Sequence, residues 1–151
     1  MDMIEEIASA INAVANILGK PIPVNCIEIF DRGVPHIPQG FGSGKMGVYT
    51  FLYDGRFLKI GKAGPKSNNR FERQHYNPRA ASSTLAASLL SDPEMDELGI
   101  TEANVGNWIK QNCRRIDVIL DASLGVFTLE LVEATLHYKF EPKYEGFSSQ
   151  R

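Results

Sequence analysis

Cysteine is scarce in this chain. Only Cys26 and Cys113 occur among 151 residues, far apart and in no Cys-x-x-Cys pair, which speaks against a disulfide scaffold, a zinc cluster or dithiol redox chemistry and for reduced thiols in the cytoplasm. Long apolar runs are also missing. No stretch approaches the roughly 20 apolar residues of a spanning helix, so no membrane partner is expected. The apolar N-terminal stretch carries Asp2, Glu5 and Glu6 where a secretory signal would carry positive charge, so no export signal is read. Strong basicity is absent as well. With 16 Lys and Arg against 18 Asp and Glu, a net charge of -2 excludes holding nucleic acid by bulk electrostatics, and any such site must be local. The three histidines, His36, His75 and His137, show no paired metal-ligand spacing, and no local Ser or Cys, His and acid set suggests a hydrolytic triad.

What is present is an ordinary globular composition of a length that suits one domain. Asp2 is a plausible N-cap, and Ile4, Ile7, Ile11, Val14 and Leu18 recur at helical spacing until Gly19 and Pro21. The stripe is expected to be core, with a homodimer face as its alternative use. Val24–Phe30 reads as a strand, and a Gly/Pro-rich loop over 32–46 is either mobile or a cover for a site. Two strand-like runs then flank Asp54-Gly55. Helices are expected over 68–76, capped by Ser67, over 82–90 and over 101–113, the last capped by Thr101; 114–121 alternates as a strand, and 126–140 forms a final helix ended by Pro142. The pattern has no strict βαβ alternation and predicts an α+β fold with a small, mostly antiparallel sheet flanked by helices.

Two motifs are false friends. Gly42-Ser43-Gly44-Lys45-Met46-Gly47 matches G-x-G-x-x-G, but a strand follows it where a dinucleotide fingerprint needs a helix. Gly44-Lys45 fails as a phosphate loop, because Gln39 stands at the first glycine position and Met46 replaces the hydroxyl residue. The segment from Lys59 to Arg79 is locally basic, with Lys59, Lys62, Lys66, Arg70, Arg73, His75 and Arg79. A cluster of this kind is more often a solvated face than a binding site.

The hairpin GVYTFLYDGRFLKIGKAG (47–64) raises the sharper question. A two-residue turn at Asp54-Gly55 would set Tyr49 opposite Ile60, whereas a three-residue bulged turn would set it opposite Lys59. Only the second puts phenol and ammonium side by side. Sequence leaves both registers open.

Gly47-Val48-Tyr49, Lys59-Ile60-Gly61 after the hairpin, Arg70 in a helix beginning Asn-Arg-Phe, and Glu133 in a late helix reading LELVEATLHYKFEP together resemble the GIY-YIG nuclease superfamily. The likeness spans 46–146, leaving 1–45 as an N-terminal helix, strand and loop packed on the same domain and 147–151 as a tail. The resemblance implies a metal-dependent DNA endonuclease. Tyr49 would act as general base or orient the attacking water, Lys59 would lie near the scissile phosphate, Arg70 would stabilise phosphate charge, and Glu133 would bind a single Mg²⁺ or Mn²⁺. Lys62, Arg73 and His75 would form the next ring of phosphate contacts. The alternative is a catalytically silent nucleic-acid-binding or protein-interaction domain with the same fold.

The residue types suit these roles on physical grounds. A phenol ionises near pH 10, so Tyr49 can accept a proton at neutral pH only if positive neighbours lower that value; Lys59, Arg70 and a metal are expected to do so. The arginine fork suits phosphoryl oxygens, and hard Mg²⁺ tolerates one carboxylate with several waters. Two positions depart from the family pattern. Lys59 replaces the second tyrosine, and Glu145 takes the position of an asparagine near the end of the domain. Arg73 competes with Arg70 for its role, and Glu130 with Glu133.

Overall fold

The computed structural model describes residues 1–145; Gly146 and the expected tail 147–151 lie outside the described residues. Helix α1, Met3–Ile17, begins at a full capping box in which Asp2 accepts from the Glu5 amide and Glu5 reaches back to the Asp2 amide. A short 3-10 turn over Val24–Cys26 leads into strand β1, Ile27–Gly33, so the expected strand starts later and runs further. Strands β2, Lys45–Tyr53, and β3, Arg56–Ala63, form the hairpin, and β4 spans Arg114–Asp121. All pairings are antiparallel in a four-stranded sheet of order β1-β4-β2-β3. The α+β architecture expected from the pattern is what the chain adopts.

Helix α5, Val126–Phe140, keeps its expected bounds. It covers one face of the sheet together with α1, closing a core of Ile7, Ile11, Val48, Ile60, Val118, Leu129, Val132 and Leu136. The middle of the α1 stripe is therefore interior, Ile4 and Val14 are half-buried, and Leu18 is exposed. Ile7 and Ile11 are buried against this core, so these two residues serve the monomer's own core. Because β1 pairs with β4 and α1 packs on α5, residues 1–45 complete the same folded unit.

The opposite face is covered by α2, Asn68–Glu72, α3, Leu85–Ser91, and α4, Val105–Asn112. Each is shorter than its apolar pattern suggested. The first continues as a 3-10 turn, Gln74–Tyr76, and Ser67 makes no side-chain cap. The second starts at Thr84, whose hydroxyl accepts from the Ala87 amide. The third waits for Asn104, which exchanges side-chain-to-backbone hydrogen bonds with Thr101. A 3-10 segment, Pro93–Leu98, which periodicity does not reveal, fills the gap between α3 and α4. The loop over 34–44 is a cover rather than a free flap. His36 is buried, Phe41 packs on Phe71 with ring centroids 4.9 Å apart, and the Phe41 amide donates to Asn68 Oδ1. Among the described residues, no helix is long and apolar enough to cross a membrane.

Candidate active site

Turn chemistry and one inserted residue decide the geometry of the hairpin. Asp54 and Gly55 both take positive φ, 51° and 76°, as a two-residue hairpin turn of the primed kind requires, and Tyr53 faces Arg56. Leu58 is then bulged out, since Leu52 pairs with Phe57 but Phe51 pairs with Lys59. The register moves by one. Tyr49 lies opposite Gly61, which is neither of the two arrangements that the sequence left open. Cross-strand partners share a face, so Lys59 stands beside Phe51 on the same face as Tyr49, one pair further along.

That register explains two glycines. A Cβ built on Gly61 would lie 2.2 Å from the Tyr49 hydroxyl oxygen and 2.5 Å from its Cζ, so the ring crosses the strand where only glycine leaves room. At Gly47 an added Cβ would meet Phe71 Cε2 at 2.6 Å and the Val118 carbonyl oxygen at 3.1 Å. Phe71 seats α2 on the sheet there, and its neighbour Arg70 interacts with the Tyr49 hydroxyl. Arg73 is exposed and pairs with Glu72 at 3.5 Å, so of the two arginines it is Arg70 that reaches Tyr49.

On α5, Glu133 faces β3 and Glu130 faces solvent. Lys62 Nζ donates to Glu133 Oε1 at 3.0 Å, and His137 joins its Nε2 to the Ile60 carbonyl at 2.6 Å, fixing α5 along the edge strand. Glu133 lies within electrostatic reach of Tyr49. Lys59, only 5% exposed, is paired through Nζ with Glu145 Oε1 at 2.9 Å. The structure thus brings Tyr49, Lys59, Arg70 and Glu133 to one sheet edge, and Lys62 with them. Arg73 stays on the outer surface of α2. His75 is under the site and not at its mouth: 4% exposed, it stacks on Tyr49 at 4.3 Å. It is therefore not a phosphate contact, because burial and the charges of Lys59, Arg115 and Arg70 hold its pKa down to about 3. Its Nδ1 accepts from the Leu85 amide at 3.2 Å, which places the proton on Nε2, a buried donor without a protein partner.

The protein's own charges do not lower the Tyr49 pKa as expected. Burial pushes the Tyr49 phenol up to about 12; Arg70 opposes this, but Glu145 and Glu133 add to it. In this state Tyr49 is a neutral hydroxyl at physiological pH and not a ready base. Orientation of a water is the role of the two that suits it.

Sequence reading missed the buried support behind the site. Arg115 and Asp117 are fully buried on β4 and joined at 2.8 Å. Arg115 also donates to the Phe71 carbonyl at 2.6 Å and to the Tyr76 hydroxyl at 2.8 Å. Tyr76 in turn donates to His36 Nε2 at 2.7 Å, while His36 Nδ1–H donates to the Cys113 carbonyl at 2.7 Å. Arg32 meets Asp117 from the other side at 3.1 Å. Through the Phe71 carbonyl this network holds the end of α2, and so the base of Arg70. The available signal was an i, i+2 charge pair, Arg115 and Asp117, flanking Ile116 within the strand.

The donor set at the edge is one hard carboxylate, Glu133, beside cations and a phenol. Among the described residues there is no group of three or more His, Cys, Asp or Glu placed to hold a metal. A closed zinc-type cage does not fit these residues, whereas a largely hydrated magnesium-type ion on a single carboxylate does, with Lys62 as the group it would displace. No family model, curated protein or solved structure matches this chain.

Proposed function

We propose that the protein is a metal-dependent DNA endonuclease of the GIY-YIG type. The observation that carries the reading is the meeting of Tyr49, Lys59, Arg70 and Glu133, which are distant in sequence, at the edge where Tyr49 crosses Gly61. Arg70 is exposed and backed by its own helix, so its guanidinium can receive the phosphodiester and take up charge that grows on its oxygens in the transition state. Tyr49, neutral and fixed by Gly61 and His75, orients the attacking water by hydrogen bonding. Water attacks phosphorus through its oxygen and gives up a proton, one P–O ester bond breaks, and the leaving oxygen takes up a proton, so that the OH of water ends on phosphorus and its H on the leaving group. Glu133 would hold Mg²⁺ or Mn²⁺, which supplies Lewis-acid charge neutralisation when bound.

The alternative, a silent domain that binds nucleic acid or protein, draws on one observation. Lys59 and Glu133 each already have an internal ionic partner, Glu145 and Lys62. Arginine variants separate the readings. Arg70→Ala is expected to lower single-turnover cleavage of plasmid by about 100-fold, as loss of a transition-state donor does, while Arg73→Ala stays near wild type. Equal effects of the two would refute the assignment of Arg70.

A further inference from the structure

Lys59 is an ammonium group in a nearly closed setting, which a protein tolerates only with a counter-ion in good geometry. Its counter-ion comes from the other end of the fold. Glu145, 86 residues away in sequence, reaches Nζ at 2.9 Å. The segment that carries it is firmly tied down. Lys143 and Tyr144 donate their amides to the Phe57 and Leu58 carbonyls, both at 3.0 Å. The Tyr144 hydroxyl donates to Asp92 at 2.8 Å, and Lys143 Nζ pairs with Asp92 at 2.8 Å. The bulge at Leu58 thereby does two jobs: it sets Tyr49 on Gly61 and turns edge carbonyls outward to receive the C-terminal segment. Glu145 also lies within electrostatic reach of Tyr49, and Lys59 within reach of His75, which stacks on the same ring.

We propose that Glu145 is a positioning residue of the site, clamping the Lys59 ammonium beside Tyr49 so that ammonium and neutral phenol meet a phosphodiester as one unit. This rests on the nuclease reading. The two departures from the family pattern, Lys59 and Glu145, are thus partners in one ion pair. A displaceable, autoinhibitory strap is disfavoured by the anchors at Phe57, Leu58 and Asp92.

The test uses the full chain with Glu145→Gln, Glu145→Asp, Lys59→Met and the double variant Lys59→Met/Glu145→Gln. Removing one partner leaves a buried charge unpaired, so the single Glu145→Gln variant is expected to melt lower and the double variant to recover. Cleavage is expected to behave differently. Glu145→Gln and the double variant both lose about 100-fold in kcat with KM little changed, and Glu145→Asp restores part of it. A double variant that regains wild-type kcat would make the pair merely structural, and a Glu145→Gln protein that cleaves as fast as wild type or faster would overturn the proposal. An arm independent of activity is the proton–nitrogen NMR signal of the Lys59 ammonium, expected to be protected from solvent exchange in wild type and lost in Glu145→Gln. If wild type fails to cleave DNA, the nuclease reading fails, and this signal alone decides the clamp: its persistence in Glu145→Gln refutes it, its loss supports it.

Discussion

Gly61→Ala is the smallest change that should disable the site. The added methyl would stand 2.2 Å from the Tyr49 hydroxyl oxygen, 2.5 Å from Cζ and 2.8 Å from Cε2. The ring cannot swing away. It is 1% exposed, with His75 at 4.3 Å on one side and Phe71 at 6.2 Å on another. Overpacking of this kind costs about 1–3 kcal/mol, and in a domain of this size each kcal/mol lowers the melting temperature by about 2–4 °C, so Tm should fall by about 2–12 °C. Gly64→Ala, just beyond the end of the same strand, is the control, because nothing lies within 4 Å of its added Cβ; it should melt at or slightly above wild type. Since Cζ alone is too close, Tyr49→Phe should not rescue Gly61→Ala. Differential scanning calorimetry on the four proteins decides the matter. A Gly61→Ala protein that melts within 1 °C of wild type, or a full rescue by Tyr49→Phe, would refute the register and the crossing of Tyr49 over Gly61.

Two further outcomes follow from the interior. Arg115→Ala should lose about 3–5 kcal/mol in urea denaturation because Asp117 loses its buried partner and keeps only Arg32, while the Phe71 carbonyl and the Tyr76 hydroxyl lose their donor, whereas Arg114→Ala, whose pair with Asp31 is partly exposed, should lose about 1 kcal/mol or less; similar losses would contradict the burial of the network. The buried His75 should make folding acid-sensitive. Its folded pKa is depressed to about 3 while the unfolded ring titrates near 6.5, so the unfolded state binds the extra proton. Stability is therefore full above about pH 7 and declines as pH falls from 6.5 towards 3, by up to about 1.4 kcal/mol per pH unit from this residue. Urea midpoints at pH 7 and pH 5 should differ, and His75→Gln should flatten the difference; an unchanged slope would refute the neutral, buried ring.

The legibility of this fold depended on the range of the forces involved. Helix α1 was readable because its capping box and its stripe are local, β4 because Ile116, Val118 and Leu120 alternate, and α5 because a long apolar stretch runs up to Pro142. The hairpin turn was readable from Asp54-Gly55, but the bulge at Leu58 was not, because what holds it open is the C-terminal segment hydrogen-bonded to Phe57 and Leu58. Arg115 and Asp117 alternate with Ile116 and Val118 as a solvent face would, and the helices α2, α3 and α4 with the loop over 34–44, packed over that face, make them interior. Among the candidate residues, Tyr49, Lys59, Arg70 and Glu133 were singled out by their order along the chain, and the fold brings them near one another. His75 was misplaced because a histidine amid basic residues looks exposed, and the pairing of Lys59 with Glu145 is invisible at a separation of 86 residues. The expected fall in the Tyr49 pKa failed for a related reason: burial, which sequence does not display, outweighs the one arginine that opposes it.

The most direct measurement is the conversion of supercoiled plasmid to nicked or linear forms by purified full-length protein in Mg²⁺, Mn²⁺ or EDTA, beside Glu133→Ala and Tyr49→Phe. The account expects cleavage with either metal, none in EDTA, and loss of about 100-fold or more in both variants. A well-folded wild-type protein that leaves the plasmid intact in every metal, or Glu133→Ala cleaving at the wild-type rate, would contradict it.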